Sequence, residues 1–303
     1  MQKFEQPHYA AIDAIKVIGD GFTIVSGGRD RLINLWKINA NTLKAERNFN
    51  AIRCHDGWIW DIDSCTPDTF YSSGWDNNVI YWSISSVLER INTFNCGKPV
   101  MAISCTNGLV AAGLSTPKIV LIDPRVGQIS QIPSDSIRLF DMHKHSITDV
   151  LLVPERNLLL SISEDKSMAF FDLRQQKRLS YKTKRISHEN SFPRCLSLYR
   201  NVVYIGDSRG NVHFYSLESD DILLSPINVG TETRLVTGIV PHMSGITVST
   251  TDGFVRILYP SKPPVFIWQQ AFHGEVTAID QTKHFLVVST SESNINIFKP
   301  IHL

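Results

Sequence analysis

The feature that most constrains this chain is a repeat. Seven segments share one pattern: SGGRDRLINLW ends at Trp36, SSGWDNNVIYW at Trp82, AGLSTPKIVLI at Ile122, SISEDKSMAFF at Phe171, IGDSRGNVHFY at Tyr215, VSTTDGFVRIL at Leu258 and VSTSESNINIF at Phe298. Each has a small-residue strand end, a polar turn, and apolar alternation closing on a large residue. The closing positions lie 46, 40, 49, 44, 43 and 40 residues apart. A fixed period in this range means that one supersecondary unit is stacked repeatedly, each copy burying its faces against its neighbours.

The residues say what the unit is. Asp76-Asn77, Asp252-Gly253 and Arg209-Gly210 suit a tight hairpin, because the second residue tolerates positive φ; Asp30-Arg31 and Asp165-Lys166 fit less well. After each turn both parities are apolar, as in Leu32 to Trp36, so the strand is buried on two sides. Before each hairpin lies another short strand: Ile12 to Ile15, Ile59 to Ile62, Val100 to Ile103, Ile147 to Val150, Pro193 to Leu196, Val236 to Ile239 and Val276 to Ile279. A period of about 44 residues is that of a four-stranded propeller blade. The expected fold is all-β, a seven-bladed β-propeller of four-stranded antiparallel blades. Length alone suggests about two domains at roughly 150 residues each, but the repeat accounts for residues 1–303 as a single ring. After Phe298 only KPIHL remains, whereas QKFEQ at residues 2–6 precedes the first unit, so residues 2–6 are expected to complete blade seven and close the ring.

These units resemble the WD-repeat (WD40) β-propeller family over essentially the whole chain. In that family a His before the first strand, a Ser or Thr ending the second, the turn Asp and a closing Trp form a hydrogen-bonded set. His55, Ser72, Asp76 and Trp82 match it in the second unit. The first offers Ser26, Asp30 and Trp36 with His8 as partner; the fourth offers His143, Ser161 and Asp165, with Phe171 in place of Trp. Phenylalanine has no N–H to give, so that network is expected to stop at Ser161. The other four units lack most of the set. The GRDR–LINLW and GWIW–SGWDNNVIYW pairings are also similar to the propeller of F-box/WD-repeat proteins, which select substrates for ubiquitin ligases. An F-box would be a helical segment ahead of the propeller. The first unit opens seven residues after Met1, which leads us to expect an adaptor of another complex, or a propeller separated from a longer protein.

Charge narrows the partners. Thirty Lys+Arg against 29 Asp+Glu leave a formal charge of +1, so there is no net field to recruit nucleic acid or an anionic membrane. KTKR at residues 182–185 is the densest basic run and reads as a solvated outer strand of blade four. No stretch approaches a membrane span, the amino terminus lacks a secretory pattern, and Cys54, Cys65, Cys96, Cys105 and Cys195 form no CxxC pair. These features predict a cytoplasmic or nuclear protein, without membrane, nucleic-acid or small-molecule partner.

No catalytic site is expected. His, Ser and Asp recur as a hydrolase would need them, but the sets coincide with the repeat's structural network in three units. HKHSITD offers His143, His145 and Asp149 as metal-ligand types, yet His143 holds the structural position, so neither metal nor cofactor is expected. There is no GxGxxG, P-loop or HExxH motif. The alternative reading is a metal-dependent enzyme in the central channel using His143, His145 or Glu164. The stronger signal is tryptophan. Trp58 and Trp60 open the first strand of blade two and Trp75 precedes the turn Asp76. Their equivalents vary between units, Asp13, Met101 and Arg194 among them for Trp60 and Arg29 for Trp75, so core packing does not set these positions. Tryptophan with arginine is the composition of interface hot spots. Trp58, Trp60, Trp75, Arg29, Asp13 and Met101 are expected to form a patch across blades one to three, with Phe192 and Arg194 across the channel. Such a patch suits a peptide with an apolar anchor and an acidic or phosphorylated flank. The expected role is a protein-interaction scaffold or adaptor, with substrate recognition in a ubiquitin-ligase-type complex as its sharpest form.

Overall fold

The computed structural model describes residues 2–3, 8–47, 51–106, 108–125, 137–141, 143–174, 181–186, 190–229, 234–261 and 263–299. Seven antiparallel sheets follow one another around a central axis. Their innermost strands are Ile12–Ile18, Ile59–Thr66, Val100–Thr106, Ile147–Val153, Pro193–Tyr199, Val236–His242 and Val276–Gln281, which together wall a cavity of about 680 Å³. Six sheets have four strands. In blade 1 the outer position is shared by Ala45–Arg47 and Ile52–Arg53, both paired with Leu32–Ile38. The basic run at 182–185 falls in the outer strand of blade 4, Tyr181–Arg185, and Trp268 in that of blade 6, Val265–Ala271.

Blade 7 draws strands from both ends of the chain. Gln2 pairs with Ile297 and Lys3 with Asn296, making Gln2–Lys3 the outer strand beside Ile295–Phe298. This is the expected closure at residues 2 and 3; residues 4–6 lie outside the described residues. Joining the termini removes an open sheet edge at the point where a ring of repeats would otherwise fray.

Packing between blades explains the small residue near the end of each second strand. A Cβ at Gly27 would lie 2.6 Å from Ile59 Cγ2, one at Gly113 2.5 Å from Ile147 Cγ2, and one at Gly206 2.4 Å from Val236 Cγ1. In these three blades the first residue of the following blade therefore fills the space left by the missing side chain. This contact carries the sheet-on-sheet burial that the two-sided apolar strands demand.

The turns settle a local point. Arg31, Asn77 and Lys166 all adopt positive φ, at 67, 68 and 71°. Arg31 and Lys166 do so despite their side chains, because the preceding carboxylate holds the turn: Asp30 accepts from Leu32 N at 3.1 Å and Asp165 from Ser167 N at 3.0 Å. These bonds offset the cost of the left-handed backbone.

Candidate functional site

The polar networks come first, since they fix the loops that carry the tryptophans. In blade 2, His55 Nδ1 lies 2.9 Å from Asp76 and its Nε2 2.9 Å from Ser72 Oγ, which also accepts from Trp82 Nε1 at 2.9 Å. Blade 1 repeats this, with His8 at 2.8 Å from Asp30 and 2.9 Å from Ser26, and Trp36 donating to Ser26 at 3.3 Å. In blade 4, His143 lies 3.1 Å from Asp165 and 2.8 Å from Ser161. All three histidine side chains are buried. Burial by itself would raise the Asp76 carboxyl; hydrogen bonds from His55, Asp56 N and Asn78 N outweigh it and hold the group below 3.8. The Asp56 N bond, 3.0 Å, ties the entry loop directly to the turn.

That loop presents the aromatic cluster. Gly57 is required beneath it, because a Cβ there would lie 2.6 Å from Asp76 N. Trp75 N donates to Trp58 O at 3.0 Å, so the two residues leave the blade side by side. Trp58 is 41% and Trp75 46% exposed, while Trp60 is half-buried and lines the channel mouth. The Trp75 ring stands between the others, 5.9 Å from Trp58 and 6.0 Å from Trp60, tilted by 55 and 56°. The Arg29 guanidinium lies over the Trp58 ring at 4.9 Å. Its Nε donates to Asp13 Oδ2 at 3.0 Å and its Nη2 to Oδ1 at 3.3 Å. Burial raises the Asp13 carboxyl more than Arg29 lowers it.

The structure thus brings Trp58, Trp60, Trp75, Arg29 and Asp13 into one surface across blades 1 and 2. Met101 and Arg194 line the same cavity as Trp60. Phe192 does not line it; this residue is the blade 5 counterpart of Trp58, half-buried, with its carbonyl accepting from Ser208 N at 2.9 Å. Because Arg29 is paired twice with Asp13 and stacked on Trp58, its charge is largely compensated within the patch. Arg194 is the other cation named for an acidic flank, and Asp149 is among its neighbours.

The metal-dependent alternative meets a different geometry. His143 is committed to Asp165 and Ser161, and neither it, His145 nor Glu164 lines the channel. Among the described residues no group of three or more His, Cys, Asp or Glu is arranged to hold a metal ion.

The channel wall holds a set of charges that sequence reasoning passed over. Asp61 Oδ2 accepts from Ile103 N, Asp63 Oδ2 from Cys105 N and Asp280 Oδ2 from Val17 N, each at 2.8 Å, and Asp149 Oδ2 from Leu196 N at 2.6 Å. Each carboxylate reaches from one blade to the backbone of the next. Burial pushes Asp61 up to about 8 and Asp149 up to about 7, and raises Asp280. Lys16 is raised by the adjacent Asp63 charge, against its burial, and forms an ion pair with it at 2.8 Å. The available signal was the recurrence of charge at two inner-strand places, Asp61 and Asp149 at one and Asp63, Asp280 and Lys16 at the other.

Comparison with solved structures decides the fold. The WD40 β-propeller domain of Doa1 superposes with a TM-score of 0.78 at 16% identity, covering 97% of this chain and 95% of that one. The chain folds as a seven-bladed β-propeller. In sequence, the propeller is 23% identical to F-box/WD repeat-containing protein 9 of Bos taurus and 22% to that of Homo sapiens, over 96% of this chain in both cases. It spans 62% of the length of either relative. The ribosome biogenesis protein WDR12 homolog of Arabidopsis thaliana is 26% identical over 57% of the propeller and 44% of that protein. No protein-family model matches.

Proposed function

We propose that this propeller is a non-enzymatic interaction scaffold or adaptor that binds a peptide or protein partner on the face around blades 1–3. The observation that carries this reading is the tryptophan cluster: Trp58 and Trp75 are exposed at 41 and 46% beside the channel mouth, on a loop locked in place by the His55–Asp76 network. Large rings held rigid and wet supply contact area with little ordering cost on binding. An apolar anchor of the partner would enter between Trp58, Trp75 and Trp60. An acidic or phosphorylated flank would have to meet Arg194 or displace Asp13 from Arg29, so the patch favours the apolar anchor as the main source of affinity. The likeness to F-box/WD repeat-containing protein 9 supports the sharper form, recognition of substrates within a ubiquitin-ligase-type assembly; the proposed location is cytoplasm or nucleus.

Affinity purification from the native cell, with a Trp60→Ala Trp75→Ala double variant as control, tests the site. The variant should keep the wild-type melting temperature within a few degrees and lose its specific partners, each substitution weakening binding by about 2 kcal/mol or more. A folded double variant that captures the same proteins at the same level would place the binding surface elsewhere. Recovery of ligase subunits with the wild type, and not with the variant, supports the sharper form.

A further inference from the structure

Two cysteines outside the tryptophan face meet across the boundary between blades 2 and 3. Cys65 sits where the inner strand of blade 2 breaks register: Asp63 faces Tyr71 and Thr66 faces Thr69, leaving Ser64 and Cys65 unpaired in a bulge. Ser64 Oγ holds the bulge by donating to Thr66 O at 2.9 Å and Thr69 O at 2.8 Å. The bulge aims Cys65 at blade 3, where its Sγ lies 3.0 Å from Thr106 O, the carbonyl that follows Cys105. Blade 3 is held to this approach by two carboxylate bonds, Asp61 to Ile103 N and Asp63 to Cys105 N, both 2.8 Å. Both cysteines are half-buried, and both are free thiols.

We propose that Cys65 and Cys105 form an oxidation site, at which a hydroperoxide converts the facing thiols into a disulfide that ties blade 2 to blade 3. The chemistry divides between them. Both side chains pack against the same apolar cluster between blades 2 and 3, and their proximity lowers the Cys65 thiol and raises that of Cys105. Cys65 is accordingly the attacking sulfur. Its thiolate takes the terminal oxygen of the hydroperoxide; the S–O bond forms, the O–O bond breaks, and the departing alkoxide leaves with a proton as the alcohol. Cys65 is then a sulfenic acid. The Cys105 sulfur attacks it, the S–S bond forms, and hydroxide leaves with the Cys105 proton as water. Two thiols and one hydroperoxide thus give one disulfide, one alcohol and one water, with two electrons passed to the peroxide. The other cysteines are placed differently. At Cys54, Cys96 and Cys195 burial is the leading influence and raises all three thiols, Cys96 and Cys195 to about 12.

Mass spectrometry of the whole chain tests this. The reduced protein is treated with hydrogen peroxide, quenched with an alkylating reagent and digested. Cys65 and Cys105 should leave the alkylatable pool together, the chain should become lighter by two hydrogens, and one cross-linked peptide pair should appear that a dithiol reductant abolishes. Cys105→Ser should stop Cys65 at the sulfenic acid, trapped by a cyclic dione, and Cys65→Ser should leave Cys105 unreacted at the same dose. A disulfide between any other pair would overturn the assignment, as would wild-type Cys65 advancing to sulfinic acid with Cys105 unchanged. Failure of both thiols to react while the other three are equally inert would also overturn it. The wild-type measurement decides the matter even if a variant fails to fold.

Discussion

Blades 2 and 5 build the same hairpin by opposite means. In blade 2 the turn carboxylate, Asp76, reaches outward to His55 and Asp56 N of the entry loop, and the chain of bonds continues through Ser72 to Trp82. In blade 5 the position of Asp76 is Arg209, and the carboxylate has moved two residues upstream to Asp207. There it accepts from Arg209 N at 2.8 Å, Asn211 N at 2.9 Å and His213 Nε2 at 3.0 Å, all within its own hairpin. Both arrangements satisfy a tight turn, and both outweigh burial to hold their carboxylates low. Of the two, blade 2 uses its turn carboxylate to hold the loop before the first strand, as blades 1 and 4 do through Tyr9 N and Lys144 N, and in blade 2 that loop carries Trp58; blade 5 holds its loop through Ser208 Oγ instead. The difference teaches that the WD-type network is not needed to make a blade; in blade 2 it holds a surface.

The largest effect should separate these two histidines. His55→Ala leaves Ser72 and Asp76 short of a buried partner and frees the loop, at a cost of about 3 kcal/mol, whereas His213→Ala leaves Asp207 its backbone donors and costs about 1 kcal/mol. Denaturant titration of both variants checks this, and equal losses would break the comparison. The inner strands give the next effect. Blade 2 places Asp61 where blade 5 has Cys195, and Asp61 is pushed up to about 8 by burial. The folded protein therefore keeps a proton that the unfolded chain releases near 3.8, so stability from this group falls as pH rises from about 4 to 8. Asp61→Asn should gain on wild type across that window, by up to about 1.4 kcal/mol per pH unit, while Cys195→Ala shows no such drift. The smallest effect lies in blade 4, whose network lacks an indole. Phe171→Trp should supply Ser161 with the missing donor and add about 0.5–1 kcal/mol, seen as a higher melting temperature; a fall would mean that the larger ring overfills its site.

Much of this was legible in the residues. The repeat spacing named the blade, the turn acids named three of the networks, and the variation at Trp58, Trp60 and Trp75 marked positions that core packing does not set. The carboxylate of blade 5 was not legible, because Asp207 and His213 sit outside the repeat's motif and are joined only by the hairpin's register. Asp61, Asp63, Asp149 and Asp280 read as ordinary polar positions of inner strands; their role depends on a neighbour 42 to 47 residues onward, or for Asp280 on Val17 at the other end of the chain, that the ring brings alongside. Arg29 was legible as a patch cation, but its two hydrogen bonds to Asp13, which compensate that charge, were not.

By itself the sequence determined the number of blades and the order of strands within them, since both follow from local periodicity and turn chemistry repeated along the chain. Which buried His, Ser and Asp pair within a unit followed from the resemblance of those units to WD repeats. Tertiary structure alone decided what lies between units: the glycine pockets that receive the next blade, the carboxylates that bridge the channel wall, the Cys65–Cys105 approach and the stacking of Arg29 on Trp58. These contacts join residues that no local pattern relates. Their geometry is set by how seven twisted sheets close on one axis, with the amino-terminal strand pairing against Ile295–Phe298 to complete the ring.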